Sequence, residues 1–429
     1  MKRILILSLM LLIATGIYAE PKQDKAKYVF FFIGDGMGVS EINATEAYLA
    51  GKDGKVGVNK LGFSVLPSLA LVTTFATDRY VTDSAAAGTA LATGNKTSVG
   101  TIAMDPSGKN KYKSIAEKAK EAGMKVGIIS TVNMNDATPA VFYAHQPNRK
   151  MHKEISEELV NSNFDFFGGG WVKKSDIKED LNKKGYIVTR GKKELLKVKG
   201  ADKKVYATCS ELDDDQACAY SIDQKSDELT LADIVSKATE LLDNPKGFFV
   251  VAEAGKIDWA NHSNDAVSAI YDVIELDKAV AVAKKFYDAH PNDTLIIVTS
   301  DHETGGLSQS SGYDVDYKTN LKLLAAQKRS ALALDGFKKK NNNVKDLSKY
   351  IKSNFGLSDD ELAKLDLNKE NVSSDVTRMF NAKAGITWTT NEHTGMPVMA
   401  FSIGNGAETM TGYIDNTELS KKIMSAMGL

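Results

Sequence analysis

The chain has 429 residues, of which 43% are hydrophobic and 25% are charged, the proportions of an ordinary globular protein. Its formal net charge of −1 gives no electrostatic reason to expect nucleic acid or an anionic membrane as a partner. The length allows one large domain or two ordinary ones.

The N-terminal residues have the three parts of a secretory signal peptide. Lys2 and Arg3 precede an apolar run that ends at Ala19, and a polar stretch follows it. A retained membrane anchor is the alternative, but the run is short for a full bilayer span. We therefore expect residues 1–19 to be removed, leaving a periplasmic or secreted chain without a stable membrane anchor.

Short apolar runs alternate with amphipathic helical patterns along the mature chain. The runs have the length of buried strands and occupy residues 28–33, 69–76, 125–131, 247–255, 294–303 and 397–405. Helical patterns cover residues 111–123, 230–245 and 263–291, and the second opens with the capping pair Thr230 and Asp233. This alternation predicts an α/β fold with a mostly parallel central β-sheet flanked by helices on both faces.

Two further stretches have an unusual local composition. Residues 81–94, VTDSAAAGTALATG, surround Ser84 with small side chains, which is typical of a helix that begins with a serine N-cap. Small residues also let a backbone approach a ligand closely, so the segment alone does not decide between the two interpretations. The lysine run at 338–343 indicates a solvated loop.

Acidic residues and a histidine stand at the carboxyl ends of the predicted strands. Asp35, Glu253, Asp301 and His302 all follow or end apolar runs. In parallel sheets these ends share one rim, which is where ligands bind. Carboxylates that converge there cannot all stay ionised without cations, so the pattern predicts bound metal.

The donor types divide between hard and borderline-soft ions. Asp258 and His262 are four residues apart on a predicted helix and can share one ion, although such a pair alone is commonly a ligand-free surface feature. Oxygen donors suit magnesium and mixed nitrogen and oxygen donors suit zinc. The first set is Asp35, Thr138 and Glu253; the second comprises Asp258, His262, His393, Asp301 and His302.

The two cysteines, Cys209 and Cys218, lie nine residues apart, far in sequence from Ser84. In an exported protein this spacing favours a local disulfide over a metal site or a redox pair.

Six blocks of the sequence together resemble the signature blocks of the alkaline phosphatase family. They read YVFFFIGDGMG, VTDSAAAGTALATG, DATPAVFYAHQPNR, EAGKIDWANH, TSDHETGG and EHTGMPVMAFSIGNGAE, in the order of the family, over essentially the whole mature chain. The resemblance implies one alkaline-phosphatase-like catalytic domain over residues 20–429, with a crown-like or lid-like insertion at about 310–385. It also makes a homodimer plausible.

The resemblance further implies a phosphomonoesterase that acts on many phosphate monoesters, through a phosphoserine at Ser84, and releases inorganic phosphate. It implies two zinc ions and one magnesium ion as cofactors. By this resemblance, the zinc beside Ser84 is held by Asp35, Asp301 and His302. The second zinc is held by Asp258, His262 and His393. Magnesium is held by Asp35, Thr138 and Glu253, and Asp136 reaches it through water. Arg149 matches the residue that clamps phosphate, and Asp83 and Trp259 are expected at the substrate.

This chemistry gives the Ser84 segment a functional meaning. A serine hydroxyl needs a base or a metal for activation, and no histidine is close to Ser84 in sequence. If Ser84 begins a helix, the free backbone N–H groups there favour a phosphoryl group, and the small residues 85–88 leave room for it.

Three alternative functions make different demands on the sequence. A phosphodiesterase would typically lack the Arg149 fork, and a sulfatase would need a modifiable Cys or Ser in a motif of its own. A non-catalytic protein that binds metal or phosphate would lack one of the ligands, and none is missing.

Overall fold

The computed structural model describes residues 25–200, 203–310, 319–341 and 343–429. The predicted signal peptide, residues 1–19, lies outside the described residues. The strands within them are β1 Tyr28–Gly34, β2 Ser68–Thr73, β3 Lys125–Ser130, β4 Phe166–Gly169, β5 Tyr186–Arg190, β6 Lys204–Thr208, β7 Phe248–Ala254, β8 Thr294–Thr299, β9 Glu303–Thr304, β10 Leu307–Gln309, β11 Ile386–Trp388, β12 His393–Thr394, β13 Val398–Gly404 and β14 Gly412–Asp415.

Fifteen α-helices lie in the same described part of the chain. They are α1 Val39–Lys52, α2 Ser84–Thr93, α3 Ile115–Glu121, α4 Ala137–Ala140, α5 His152–Asn161, α6 Lys178–Lys183, α7 Lys192–Leu195, α8 Leu231–Leu242, α9 Lys256–His262, α10 Ala266–Ala289, α11 Ala331–Lys340, α12 Val344–Phe355, α13 Asp359–Leu362, α14 Val372–Ala384 and α15 Asn416–Met427. As predicted, α8 opens with a capping box formed by Thr230 and Asp233. The lysine run is not a loop, because Lys338–Lys340 form the last turn of α11, where cations suit the helix dipole.

A ten-stranded sheet runs through the molecule in the order β14-β2-β13-β8-β1-β7-β3-β4-β6-β5. All of its pairings are parallel except the two that β13 makes with β2 and β8. This confirms the predicted α/β fold with a mostly parallel sheet. Each of the six predicted strands forms one strand of this sheet.

Two apolar clusters cover the two faces of the sheet. The side chains of β1 alternate between them: Val29, Phe31 and Ile33 face one cluster, and Phe30 and Phe32 face the other. All five are fully buried. A central strand covered on both faces needs a continuous apolar sequence, which is why YVFFFI contains no polar alternation.

The segment at about 310–385, predicted as an insertion, folds mainly as α11–α14 over its described residues. These helices contribute Leu334, Ile351 and Phe380 to a third apolar cluster, which also contains Tyr48 of α1 and Val267 of α10. The helices therefore pack beside the sheet on α1 and α10. Residues 311–318 of this segment lie outside the described part.

Cys209 and Cys218 form the disulfide that the sequence favours, with a Cα separation of 5.9 Å. Among the described residues, no helix combines the length and the apolarity needed to span a bilayer.

Candidate active site

The parallel register brings the acidic strand ends to one level. Ile33 of β1 lies beside Glu253 of β7 and beside Thr299 of β8. Asp35 and Asp301 each follow two residues after this level, so the three carboxylates meet at one rim. All three are buried, with exposures of 4% or less.

Gly36 allows the next segment to come close. Its φ is +69°, and a Cβ there would lie 2.9 Å from the Asp258 Cα atom and from the Asp258 Oδ1 atom. A side chain at this position would separate β1 from α9. The glycine thus sets the distance between Asp35 and the carboxylate of Asp258.

Ser84 is the first residue of α2, and the N-cap is Asp83 rather than the serine expected from the sequence. The Asp83 carboxylate accepts a hydrogen bond from the Ala86 amide at 2.9 Å. The first intrahelical bond runs from Ala87 N–H to the Asp83 carbonyl, so the amides of Ser84 and Ala85 have no partner within the helix. Those amides, the helix dipole and the Ser84 hydroxyl suit a phosphoryl group.

The small residues of α2 also serve helix packing, which the sequence interpretation missed. Every residue of α2 is buried. A Cβ on Gly88 would lie 3.2 Å from Val141, which ends α4. The Ala and Gly residues thus let α4, with Thr138, approach α2 closely.

Hydrogen bonds to the Nδ1 atoms decide which nitrogen of each histidine faces the site. A carbonyl oxygen can only accept, so His262 donates its Nδ1–H to Asn391 at 2.5 Å and His393 donates its Nδ1–H to Thr82 at 2.9 Å. Nδ1 of His302 lies 3.2 Å from the Thr304 hydroxyl. That hydroxyl donates to Asp258 at 2.6 Å, so it accepts from His302. In its neutral form, each of the three imidazoles therefore directs an Nε2 lone pair inward.

These lone pairs converge with carboxylate oxygens. The Nε2 atoms of His262 and His393 are 3.2 Å apart, and Nε2 of His262 is 3.3 Å from Asp258 Oδ2. Nε2 of His302 lies 3.4 Å from Asp35 Oδ1 and 3.4 Å from Asp301 Oδ2. It also lies 3.1 Å from Ser84 Oγ, which donates to it. The facing Nε2 lone pairs of His262 and His393 repel each other unless a cation or a proton lies between these two rings and the Asp258 carboxylate.

The electrostatics also favour cations. Burial, followed by the charges of Asp301 and Asp258, raises the pKa of Asp35 well above its ordinary range. Burial raises the pKa of Glu253 to about 8, despite a hydrogen bond from Ser130. Burial lowers the pKa of His262, but the hydrogen bond to Asp258 outweighs it and raises this pKa to about 9. Without metal, protons occupy places that a divalent ion would fill.

The donors expected for magnesium also lie together. Thr138 Oγ1 is 3.4 Å from Asp35 Oδ2 and donates to it. Glu253 Oε1 and Asp35 Oδ1 are buried and accept no hydrogen bond from any described residue. Asp136 is the N-cap of α4, directly before the helix that carries Thr138. The oxygen-only donor set suits a hard cation.

Two carboxylates hold the Arg149 guanidinium. Its Nη1 donates to Asp83 at 3.1 Å and its Nη2 to Asp136 at 3.0 Å. The charges of Asp136 and Asp83 outweigh the effect of burial and raise the pKa of Arg149 above its ordinary value. Because Asp83 also caps α2, the guanidinium has a fixed position relative to Ser84.

Among the described residues, no hydrogen bond or cation–π contact joins Trp259 to Ser84 or Arg149. Its half-buried ring lies 4.4 Å from the Nζ atom of Lys256. Lys256 is fully buried and donates to Asp213, in the disulfide loop, at 2.8 Å. A role for Trp259 at the substrate therefore stays a prediction.

Comparison with known proteins places the chain in a family. A family model for alkaline phosphatase matches residues 26–166 and 156–429. The chain belongs to the alkaline phosphatase family. This confirms the resemblance drawn from the six sequence blocks, and with it the enzyme class: the chain is a phosphoric monoester hydrolase of a metal-dependent family.

Relatives match the chain over nearly its full length. It is 33% identical over 431 residues to alkaline phosphatase 3 of Bacillus subtilis (strain 168), covering 94% of this chain and 90% of that protein. The cold-active alkaline phosphatase of a psychrophilic Shewanella sp. has a TM-score of 0.83 at 28% identity, covering 93% and 99% of the two chains. The Thermus thermophilus alkaline phosphatase also has a TM-score of 0.83, at 26% identity and with 94% and 92% coverage.

Several residues that support the candidate site were not predicted as site residues. Thr304 links Asp258 to His302, and it lies in the TSDHETGG block, two residues after His302. Asn264 and Asn391 hold the backbone around His262. Asparagines in turns are common, and nothing in the sequence separates these two from the others.

Proposed function

We propose that the chain is an exported enzyme that hydrolyses phosphate monoesters through a phosphoserine on Ser84, with two zinc ions and one magnesium ion. The supporting observation is the convergence of three Nε2 lone pairs and buried carboxylates around the Ser84 hydroxyl. The donor sets fit this assignment, since imidazole and carboxylate suit zinc and oxygen alone suits magnesium. The zinc ligands would be Asp35, Asp301 and His302, and Asp258, His262 and His393; the magnesium ligands would be Asp35, Thr138 and Glu253, with Asp136 acting through water.

Ser84 carries the covalent chemistry. Its hydroxyl loses a proton, its Oγ bonds to phosphorus, and the ester P–O bond breaks so that the alcohol leaves with a proton from water. A water oxygen then attacks the phosphoserine, the P–Oγ bond breaks, and Ser84 regains a proton as inorganic phosphate leaves. When bound, the metal ions would lower the pKa of the attacking oxygens and stabilise the leaving oxygen.

Arg149 positions the phosphoryl group. A guanidinium presents parallel N–H donors that fit two non-bridging oxygens, and Asp83 and Asp136 fix its orientation. The amides of Ser84 and Ala85 add donors at the positive end of α2. These groups contact phosphate rather than the alcohol, which supports activity on many monoesters.

Export and oligomeric state belong to the same proposal. The Cys209–Cys218 disulfide needs an oxidising compartment to persist, which agrees with the signal-peptide pattern of residues 1–19. A homodimer is a prediction that light scattering of the purified protein checks.

Trapping of the covalent intermediate tests the proposal. Acid quench during turnover of a ³²P-labelled aryl phosphate should label a peptide that contains Ser84. Ser84→Ala should abolish this label and reduce turnover by a factor of about 1,000 or more, while the fold and the metal content stay unchanged. Ser107→Ala, in an exposed loop, is the matched control. If Ser84→Ala keeps a tenth of the rate, Ser84 is not the nucleophile.

A further inference from the structure

We propose that Arg378, on helix α14 of the predicted insertion, is a positioning residue for the zinc ligand His262. It acts through Asn264 and Asn391, and the inference rests on the proposed function because it takes His262 as a ligand. The predicted insertion would then contribute to the metal site itself, in addition to any effect on substrate access.

The turn that directly follows His262 contains a residue in an unfavourable backbone conformation. Asn264 has a φ of +48°, which is uncommon for a residue other than glycine, and it is fully buried. Its side-chain amide donates to the carbonyls of Asn261 at 3.1 Å and of Thr390 at 2.9 Å. Its own carbonyl accepts from Asn381 of α14 at 2.6 Å. Surrounding hydrogen bonds therefore maintain the turn directly after His262.

Asn391 makes two hydrogen bonds to His262. Its backbone carbonyl accepts the Nδ1–H of the imidazole at 2.5 Å, and its side-chain Nδ2 donates to the His262 carbonyl at 2.8 Å. The same Nδ2 donates to the Asn264 Oδ1 atom at 3.1 Å. The position of Asn391 thus fixes both the tautomer of the ring and its direction.

Arg378 joins the two asparagines. Its Nε donates to Asn264 Oδ1 at 2.9 Å, and its Nη2 donates to Asn391 Oδ1. The amide nitrogens of both side chains already donate to backbone carbonyls, and the planar guanidinium of Arg378 supplies a donor to each of the two side-chain oxygens at once. A lysine could reach one of them. Arg378 therefore locks the pair that holds the imidazole.

Helix α14 is attached to the same turn at a second residue, since Asn381 donates to the Asn264 carbonyl at 2.6 Å. The Thr377 hydroxyl lies 3.3 Å from the Ser263 carbonyl and 3.1 Å from the Ser373 and Ser374 carbonyls of α14 itself. A cavity of about 390 Å³ is lined by His262, Asn391 and Arg378, so the guanidinium borders an open space. Shorter or differently shaped side chains can thus be placed at residue 378 without overpacking the core.

Zinc affinity tests the inference without relying on activity. Metal-free protein is titrated with zinc against a chromophoric chelator, which resolves the two zinc equivalents. Arg378→Met should weaken one equivalent about 10- to 100-fold and leave the other unchanged, and Arg378→Lys should have a smaller effect on the same equivalent. Cobalt(II) in that site should show an altered visible spectrum.

A cation elsewhere on α14 provides the control. Lys383 pairs with Glu361 at 2.9 Å, away from His262, and Lys383→Met should leave both zinc affinities unchanged. The free energy of unfolding of the metal-free protein should be similar for the Met variants at 378 and 383. If Arg378→Met folds and binds both equivalents within about two-fold of the original affinity, the inference is wrong.

Two further outcomes separate the inference from the proposed function. His262→Ala should abolish the same zinc equivalent. If it does not, His262 is not a ligand and the proposed metal assignment fails. If it does, and Arg378→Met and Arg378→Lys have no effect, only the positioning role of Arg378 fails. If Arg378→Met does not fold, the Lys variant decides the question on the same scale.

Discussion

At the residue scale, two backbone carbonyls determine which ring nitrogen of His262 and of His393 faces the site. Thr82 and Asn391 accept from Nδ1 atoms and leave the Nε2 atoms of His393 and His262 free. Neither acceptor is visible in the sequence, because the interaction uses backbone that any residue supplies. The histidines themselves are visible, because they stand beside acids or before a strand.

The arginine fork gives a direct prediction. Arg149→Lys keeps a positive charge but loses one of two parallel donors, so kcat/KM for an aryl phosphate should fall about 10- to 100-fold. Inhibition by inorganic phosphate should weaken in parallel, because the same donors bind the product. Steady-state kinetics measure both effects.

Arg79→Lys is the matched control for that substitution. Arg79 is 66% exposed and pairs with Asp78. Its replacement should leave kcat/KM unchanged. Equal losses in the two variants would contradict the role given to Arg149.

The surroundings of His145 predict that the free energy of unfolding falls at alkaline pH. Burial lowers the pKa of His145, but the hydrogen bonds and charges of Glu117 and Glu158 outweigh it and raise the pKa to about 9, compared with 6.5 for a free histidine. The stabilisation is fully present below pH 6.5, decreases between pH 6.5 and 9, and is lost above pH 9. Its size is on the order of 2–3 kcal/mol.

Urea unfolding at pH 6 and pH 10 checks this prediction. The unmodified protein should lose more stability between these values than His145→Gln, which has no proton to release. Identical pH dependence for both proteins would contradict it.

At the element scale, the sequence predicted six strands of the ten-stranded sheet but not the direction of each. The apolar runs at 28–33 and 397–405 look alike, yet β13 runs opposite to β1. Strand direction depends on where the chain returns after 310–385, and local composition carries no information on that path. The antiparallel direction explains why His393, which precedes its strand, reaches the same rim as Asp301, which follows one.

The N-terminus of α8 gives an element-scale prediction. Thr230 accepts from the Asp233 amide in a capping box, and Thr230→Ala should lower the free energy of unfolding by about 1 kcal/mol. Activity should not change, because α8 carries none of the proposed site residues. Thr411→Ala, at an exposed position, should leave both quantities unchanged. Urea unfolding and kinetics of the two variants provide the comparison.

The contacts of the predicted insertion, residues 310–385, could not be predicted from sequence. The stretch SDDEL at 358–362 has the pattern of a capping box, which predicts a helix there, and the structure has α13 with that capping box. The contacts of α14 with the His262 turn depend on how the helix packs, and residues 372–384 contain no metal-ligand pattern. Sequence blocks thus locate the proposed metal and phosphate ligands more readily than the residues that hold those ligands in position.

At the scale of the whole molecule, the disulfide makes the free energy of unfolding depend on whether the compartment is oxidising or reducing. Cys209 and Cys218 close a short loop, and Asp213 within it receives the buried Lys256 ammonium. Replacing both cysteines by serine should cost about 2–3 kcal/mol of stability. The same loss should appear in unmodified protein on reduction, and equal unfolding curves with and without reductant would contradict it.

Removal of metal tests the proposed site as a whole. Exhaustive chelation should abolish activity, and zinc together with magnesium should restore it, because several carboxylates and histidines in the site need cations. Magnesium alone should not suffice. Activity that persists at a metal content of zero would exclude the proposed mechanism.

The central claim is that distant segments of the chain meet to form a two-zinc centre around Ser84. Anomalous diffraction at the zinc absorption edge, from crystals of the active protein, tests it most directly. We predict two peaks, one among Asp35, Asp301 and His302, and one among Asp258, His262 and His393. An active protein whose crystals show no zinc peak at either set would contradict the claim.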